Sequence, residues 1–178
     1  MKEGICIPNV TFKTRVGDEK PNGVGCPIGG EWKDVTTREI FEGNTVVVFS
    51  LPGAFTPTCS TYQVPGFDEA YDEMKGLGVD EVYVVSVNDS FVMNAWVEYM
   101  DVKNIKPIAD GNGQLTRQLG MLVDKENLGF GQRSWRYAMV VKDGVIDAWF
   151  EEPGRSDNCE DDPYWETSPE KVLEYLKG

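Results

Sequence analysis

The spacing of apolar and polar positions changes several times along the chain, and each change marks an element. Val10, Phe12 and Thr14 alternate with polar residues, as in a strand with one exposed face. From residue 17 to 30, Asp18, Pro21, Asn22, Gly23, Gly25 and Pro27 interrupt any period, so this segment reads as a loop. Thr36 and Thr37 are cap candidates for a short helix ending at Phe41. Residues 45–51 (TVVVFSL) form a continuous, largely β-branched apolar run, which suits a strand buried on both faces. Residues 58–76 read as helix with a break near Pro65, because proline removes a donor and crowds the preceding turn. Residues 81–87 (EVYVVSV) are a second buried strand. Ser90 is the cap candidate for the next helix, whose Phe91, Ala95, Trp96 and Met100 recur at helical spacing and read as core or subunit contact.

Residues 106–109 follow as a short strand candidate. Apolar runs at 136–141 and 145–150 flank Lys142-Asp143-Gly144, and Asp-Gly suits the positive-φ positions of a hairpin turn. Ser168 and Pro169 open a last helix with Val172, Leu173 and Leu176 on its apolar face. An acidic segment, residues 153–166, joins hairpin to helix. Strand-helix alternation followed by a hairpin predicts an α/β fold: a mixed sheet with a parallel core, antiparallel edge strands and helices on both faces. No linker divides residues 1–178, so one domain is expected.

Composition removes several function classes. At 178 residues, 40% hydrophobic, the chain can build a core without a metal or disulfide staple. It has no histidine, which excludes Ser-His-Asp and Cys-His catalysis and any His-ligated zinc or haem. A net charge of −13 argues against nucleic acid as a partner. No apolar run approaches the roughly 18 residues of a membrane span. The first ten residues hold Lys2 and Glu3 but no apolar leader core, so a reducing cytoplasm is expected. Cys6, Cys26, Cys59 and Cys159 contain no CxxC pair, which argues against a zinc ribbon or a dithiol oxidoreductase. No metal or cofactor is expected.

One segment carries chemistry. Residues 51–60 follow a buried strand, and the carboxyl end of such a strand is where open α/β sheets bind ligands. Cys59 falls in the first turn of the next helix, where free N–H groups and the helix dipole favour a thiolate. Two prolines and a glycine stiffen the loop. A thiolate without histidine suits redox work: it can attack an O–O bond and become a sulfenic acid. That step needs a polar group beside the sulfur and a cation for the developing charge. Thr56 can supply the first, and Arg133 or Arg136 the second.

Pro52-x-x-x-Thr56-x-x-Cys59 resembles the active-site motif of peroxiredoxins, and residues 50–60 (SLPGAFTPTCS) resemble the peroxiredoxin-5, or type II, subgroup. Residues 84–96, 110–123 and 128–145 support the resemblance, which runs from about Val10 to the C-terminus. It implies a thioredoxin-like fold and a thiol peroxidase acting on hydrogen peroxide and alkyl hydroperoxides. Cys59 takes the place of the peroxidatic nucleophile, Thr56 of the residue that hydrogen-bonds thiolate and peroxide, and Pro52 of the residue that shields the sulfur. Arg136, in Trp135-Arg136-Tyr137, takes the place of the family arginine, leaving Arg133 outside that role. A homodimer is implied as well.

The oxidised sulfur must be reduced again. Val82, Val84 and Val85 leave no resolving cysteine on the strand where one subgroup carries it. Cys159 lies where another subgroup places it, and Cys26 is a second internal candidate. Asp157, Glu160, Asp161 and Asp162 around Cys159 disfavour its thiolate by repulsion. Glutathione with glutaredoxin is therefore the expected reductant, with thioredoxin as the alternative. Cys6, between Ile5 and Ile7, reads as structural.

Overall fold

The structure, a computed structural model, describes residues 2–20 and 26–178. Pro21, Asn22, Gly23 and Gly25 of the expected loop lie outside the described residues. In chain order the elements are β1 (Thr11–Glu19), β2 (Ile28–Thr36), α1 (Thr37–Phe41), β3 (Thr45–Ser50), a π-turn (Cys59–Gln63) running into α2 (Val64–Gly76), β4 (Glu81–Ser86), α3 (Ser90–Tyr99), β5 (Lys106–Ala109), α4 (Gln114–Gln118), β6 (Leu122–Asp124), a 3-10 turn (Glu126–Leu128), β7 (Gln132–Ser134), β8 (Tyr137–Lys142), β9 (Val145–Glu151) and α5 (Pro169–Lys177).

β3 is the centre of a five-stranded sheet ordered β5-β4-β3-β8-β9. It pairs in parallel with β4 and antiparallel with β8. Only β9 of the hairpin is an edge strand; β8 lies inside, where its apolar run 137–141 is buried on both faces. Period-two alternation splits the core into two layers. Val47 and Phe49 of β3 join Phe67, Met74, Met93, Trp96 and Val172 on one face, under α2, α3 and α5. Val46 and Val48 join Ile40, Phe41, Leu115 and Leu119 on the other, under α1 and α4, together with Phe12 of β1. Helices therefore cover both faces, as the order of elements implied. Phe49 and Phe67 stack at 4.0 Å between centroids. Burying one such side chain contributes roughly 2 kcal/mol.

Three local readings are corrected. The expected loop at 17–30 is narrower, because β1 extends to Glu19 and β2 begins at Ile28. Its glycines serve the pairing rather than ending it: at Gly30 (φ +60°) a Cβ would lie 2.8 Å from the Val16 carbonyl oxygen. Asp89, not Ser90, caps α3, its carboxylate accepting from Val92 N at 3.0 Å. The Ser90 hydroxyl instead donates to the Lys13 carbonyl at 2.5 Å, tying α3 to β1. Of the expected stripe on α3, Trp96 is fully buried, but Phe91 is exposed and packs edge-on against Trp32 of β2.

Ser168 stands at the N-cap of α5, but its side chain makes no cap hydrogen bond among the described residues; Pro169 opens the helix as expected. Thr36 and Glu39 form a reciprocal capping box at α1. Asp143 and Gly144 both take positive φ in the β8-β9 turn. The break expected near Pro65 appears as the π-turn just before it, where Val64 N donates to Cys59 O. Among the described residues no helix is long and apolar enough to cross a membrane.

α5 is fastened to β9 by the Tyr175 hydroxyl, which donates to Asp147 Oδ2 at 2.7 Å. That bond, with burial and the Asp147 charge, pushes the Tyr175 phenol up to about 12. A folded-state value above the unfolded one of about 10 means the bond contributes fully below pH 10 and is lost as pH rises towards 12. Tyr175→Phe should therefore flatten the fall of stability between pH 10 and 12, measured by urea unfolding. An unchanged slope would show that this bond does not govern alkaline stability.

Candidate active site

β3 ends at Ser50, and the chain turns through Leu51 to Thr56 into the helix carrying Cys59. Ser60 N donates to Thr56 O at 3.1 Å, closing the first helical hydrogen bond, so the Thr58 and Cys59 amides stand ahead of the ladder. The loop is pinned from outside. Asn88 Oδ1 accepts from Ala54 N at 3.0 Å and from the Ser86 hydroxyl at 2.7 Å. Arg133 donates to the Val87 carbonyl and the Phe130 carbonyl, each at 3.0 Å. Phe55 sits at φ +62°, a conformation a non-glycine residue holds only when its surroundings impose it. A Cβ on Gly53 would meet Thr56 Cγ2 at 3.3 Å and Arg133 Nη1 at 3.5 Å, so a side chain here would press on Thr56.

The Cys59 side chain is fully buried, packed with Phe49, Val64 and Phe67. Arg136, one residue before β8, brings Nη1 to 3.5 Å from its sulfur. The guanidinium is itself 1% exposed. It donates from Nη1 to Gln63 Oε1, from Nη2 to Asp162 Oδ1 at 2.6 Å, and from Nε to the Pro163 carbonyl at 3.1 Å. The Tyr164 ring lies 5.6 Å from its centre. Burial works against this charge, but the adjacent Cys59 sulfur and the Asp162 carboxylate outweigh it and hold the Arg136 pKa above the ordinary arginine value. Burial, then the Glu170 charge, pushes the Tyr164 phenol up.

Thr56 bonds its own loop rather than the sulfur. Its hydroxyl donates to the Gly53 carbonyl at 2.7 Å, which leaves its lone pairs as acceptors. Pro52 and Thr56 line a cleft of about 120 Å³ with Pro57, Leu128, Phe130 and Cys159. The buried sulfur does not reach its surface. The fixed cation and the buried thiol form one pair, and the hydroxyl turned to accept lies on a cleft that Asp162, a partner of Arg136, also lines.

The comparisons with known proteins agree with this chemistry. The Redoxin family model matches residues 15–164. Peroxiredoxin y4vD of Sinorhizobium fredii is 55% identical over 171 residues, covering 96% of this chain and 89% of that protein. The chain belongs to the peroxiredoxin family. Its fold is therefore thioredoxin-like, and its activity that of a thiol peroxidase. Among solved structures, the antioxidant protein of Plasmodium falciparum, a 1-Cys peroxiredoxin, superposes with a TM-score of 0.89 at 35% identity, over 98% of this chain and 99% of that one. Reduced Prx3 of Vibrio vulnificus in complex with hydrogen peroxide gives 0.83 at 34% identity, over 99% and 96%.

In this peroxiredoxin the sequence candidates divide. Cys59 and Arg136 come into contact, and Pro52 and Thr56 line the same cleft, which neither Cys59 nor Arg136 lines. Arg133 braces the loop next door, and burial lowers its pKa from the ordinary value. Cys159 is partly buried at the cleft and leans against the opposite core layer, which contains Val123 and Trp135. Its acidic neighbours are partly engaged elsewhere: Asp162 with Arg136, Asp157 with Asp124 N. Lys125 Nζ donates to the Cys159 carbonyl at 3.0 Å. Cys6 is exposed and held by a bridge to Val145 through its backbone, so it is no core thiol; Cys26 is also exposed.

Gln63 was missed by sequence reasoning. It is fully buried, accepts from Arg136 and donates to the Ser50 carbonyl at 3.4 Å. A glutamine four residues after the cysteine on one helix was the available signal. Gln63→Ala frees the guanidinium to shift, and oxidation of Cys59 by peroxide should slow on the order of tenfold in stopped-flow measurements. A rate within twofold of the parent would show that Gln63 does not hold Arg136.

Proposed function

We propose that this peroxiredoxin reduces hydrogen peroxide and organic hydroperoxides through Cys59 and serves antioxidant defence and redox homeostasis. The observation that carries the residue roles is the Arg136 Nη1 to Cys59 Sγ approach of 3.5 Å within a fully buried site. In this reading Cys59 reacts as the thiolate, with the Arg136 cation against its sulfur. A hydroperoxide R–O–O–H enters beside Pro52 and donates its O–H to the Thr56 hydroxyl oxygen. The thiolate attacks the terminal oxygen, the O–O bond breaks, and Cys59 becomes the sulfenic acid while RO⁻ leaves and takes a proton from solvent. Arg136 stabilises the negative charge as it moves from sulfur to the leaving oxygen. Pro52 keeps water from the sulfur. The sulfur's burial means that the loop or the 159–163 segment shifts slightly to admit the substrate.

For the return to thiol, the reading is an external reductant. Glutathione attacks the sulfenic acid and releases water, and a reduced glutaredoxin then takes the glutathionyl group; thioredoxin is the alternative. The packing of Cys59 and Cys159 in different core layers supports this over internal resolution. So does the likeness to a solved 1-Cys peroxiredoxin. The four free thiols suit a reducing cytoplasm. We read residues 1–178 as one domain. The exposed Phe55 and Tyr99, 5.7 Å apart beside the active-site loop, are the contact we assign to a second copy in a homodimer.

Peroxide consumption with glutathione and glutaredoxin tests the reading. Cys59→Ser should abolish it, and Arg136→Ala should slow oxidation of Cys59 about 10²–10³-fold while the fold persists. Turnover by Cys59→Ser would overturn the assignment. Turnover with thioredoxin that disappears in Cys159→Ser would replace the external reductant by internal resolution.

A further inference from the structure

The segment that meets Arg136 is tied down by one buried carboxylate. Glu152 follows β9 and is 1% exposed. Its Oε1 accepts three hydrogen bonds, from Trp165 N at 2.8 Å, Thr167 N at 2.9 Å and Thr167 Oγ1 at 2.9 Å. Its own backbone is fastened to the start of β8. Glu152 N donates to the Arg136 carbonyl at 3.2 Å, and its carbonyl accepts from Trp135 Nε1 at 2.8 Å. Glu152 therefore grips the Arg136 main chain with its backbone and residues 165–167 with its side chain. Between these anchors lie Asp162 and Pro163, which accept from the Arg136 guanidinium, and Tyr164, whose ring lies beside it.

We propose that Glu152 is a positioning residue for the peroxidase reaction: it fixes the 162–167 segment so that Arg136 stays aimed at Cys59. The inference rests on the peroxidase reading above. Without the three bonds to Oε1, Trp165 and Thr167 lose their common acceptor, and the acceptors of Arg136 lose their support. A guanidinium moved by about 1 Å can cost up to about a hundredfold in rate. The second oxygen, Oε2, is buried without a partner among the described residues. A glutamine can thus present its carbonyl oxygen to the same three donors without breaking any bond at Oε2.

The test is the second-order rate of Cys59 oxidation by hydrogen peroxide, followed by stopped-flow fluorescence. The proteins are the parent, Glu152→Ala, Glu152→Gln, Arg136→Ala and the double variant Glu152→Ala/Arg136→Ala. Glu152→Ala should slow the reaction about 10–100-fold. Glu152→Gln should recover to within about threefold of the parent, since geometry rather than charge is at work. Acting through Arg136, the Glu152→Ala change should add less than threefold once Arg136 is gone. Equal slowing in both backgrounds would show a general structural effect and overturn the inference, as would an alanine variant within twofold of the parent. Thr167→Val, which removes one of the three donors, replaces Glu152→Ala if that variant does not fold and should slow the parent severalfold but not the Arg136→Ala background. A parent protein that fails to react with peroxide would instead defeat the peroxidase reading itself.

Discussion

A permanently charged guanidinium buried at the end of an inner strand is the constraint on which this structure turns. Taking such a charge out of water costs several kcal/mol unless its N–H groups are bonded and its charge balanced. Arg136 meets the requirement with Gln63, Asp162, the Pro163 carbonyl and the Cys59 sulfur. These partners lie on the active-site helix and on the segment before α5, which the sheet brings to the same strand end. The sulfur is thus one of the guanidinium's acceptors, and in the proposed reading the contact that makes the cation tolerable in the core is the one that serves the chemistry.

This arrangement accounts for several features that look unrelated. The apolar 137–141 run is an interior strand rather than an edge, buried on both faces, and Arg136 stands immediately before it. The π-turn at Cys59–Gln63 adds a residue to the helical turn and brings both side chains to the same guanidinium. The acidic segment is part of the site: Asp162 balances Arg136, and the backbone at Pro163 supplies a further acceptor. The loop from Gly53 to Thr56 is held by Asn88 and braced beside Arg133, and the hydroxyl of Thr56 is bonded within it to the Gly53 carbonyl.

Much of the fold could be read from the chain because its central strands are buried on both faces. Their continuous apolar runs, the Asp143-Gly144 turn and the Ser168-Pro169 start of α5 are strong local signals. β2 carried none: it is exposed along most of its length, contains two glycines, and exists by pairing with β1. β6 and β7 are three residues each, too short for a period. In the site, Cys59, Thr56 and Pro52 stand in one short motif and were legible together. Arg136 was legible only through resemblance, since Arg133 was an equal candidate on chemistry alone. Gln63, Asp162 and Glu152 are polar residues whose partners lie 73, 26 and 15 residues away; of the three only Gln63 carried a local signal, its place four residues after Cys59.

The proposed reaction depends on a Cys59 sulfur that reacts with peroxide while held against Arg136. Intact mass and peptide mapping after one equivalent of hydrogen peroxide is added to the reduced protein, with a sulfenic-acid trap present, tests this. A single trapped adduct is expected on the peptide containing Cys59, with Cys6, Cys26 and Cys159 unmodified. An unchanged mass, or trapping at another cysteine while Cys59 stays reduced, would contradict it.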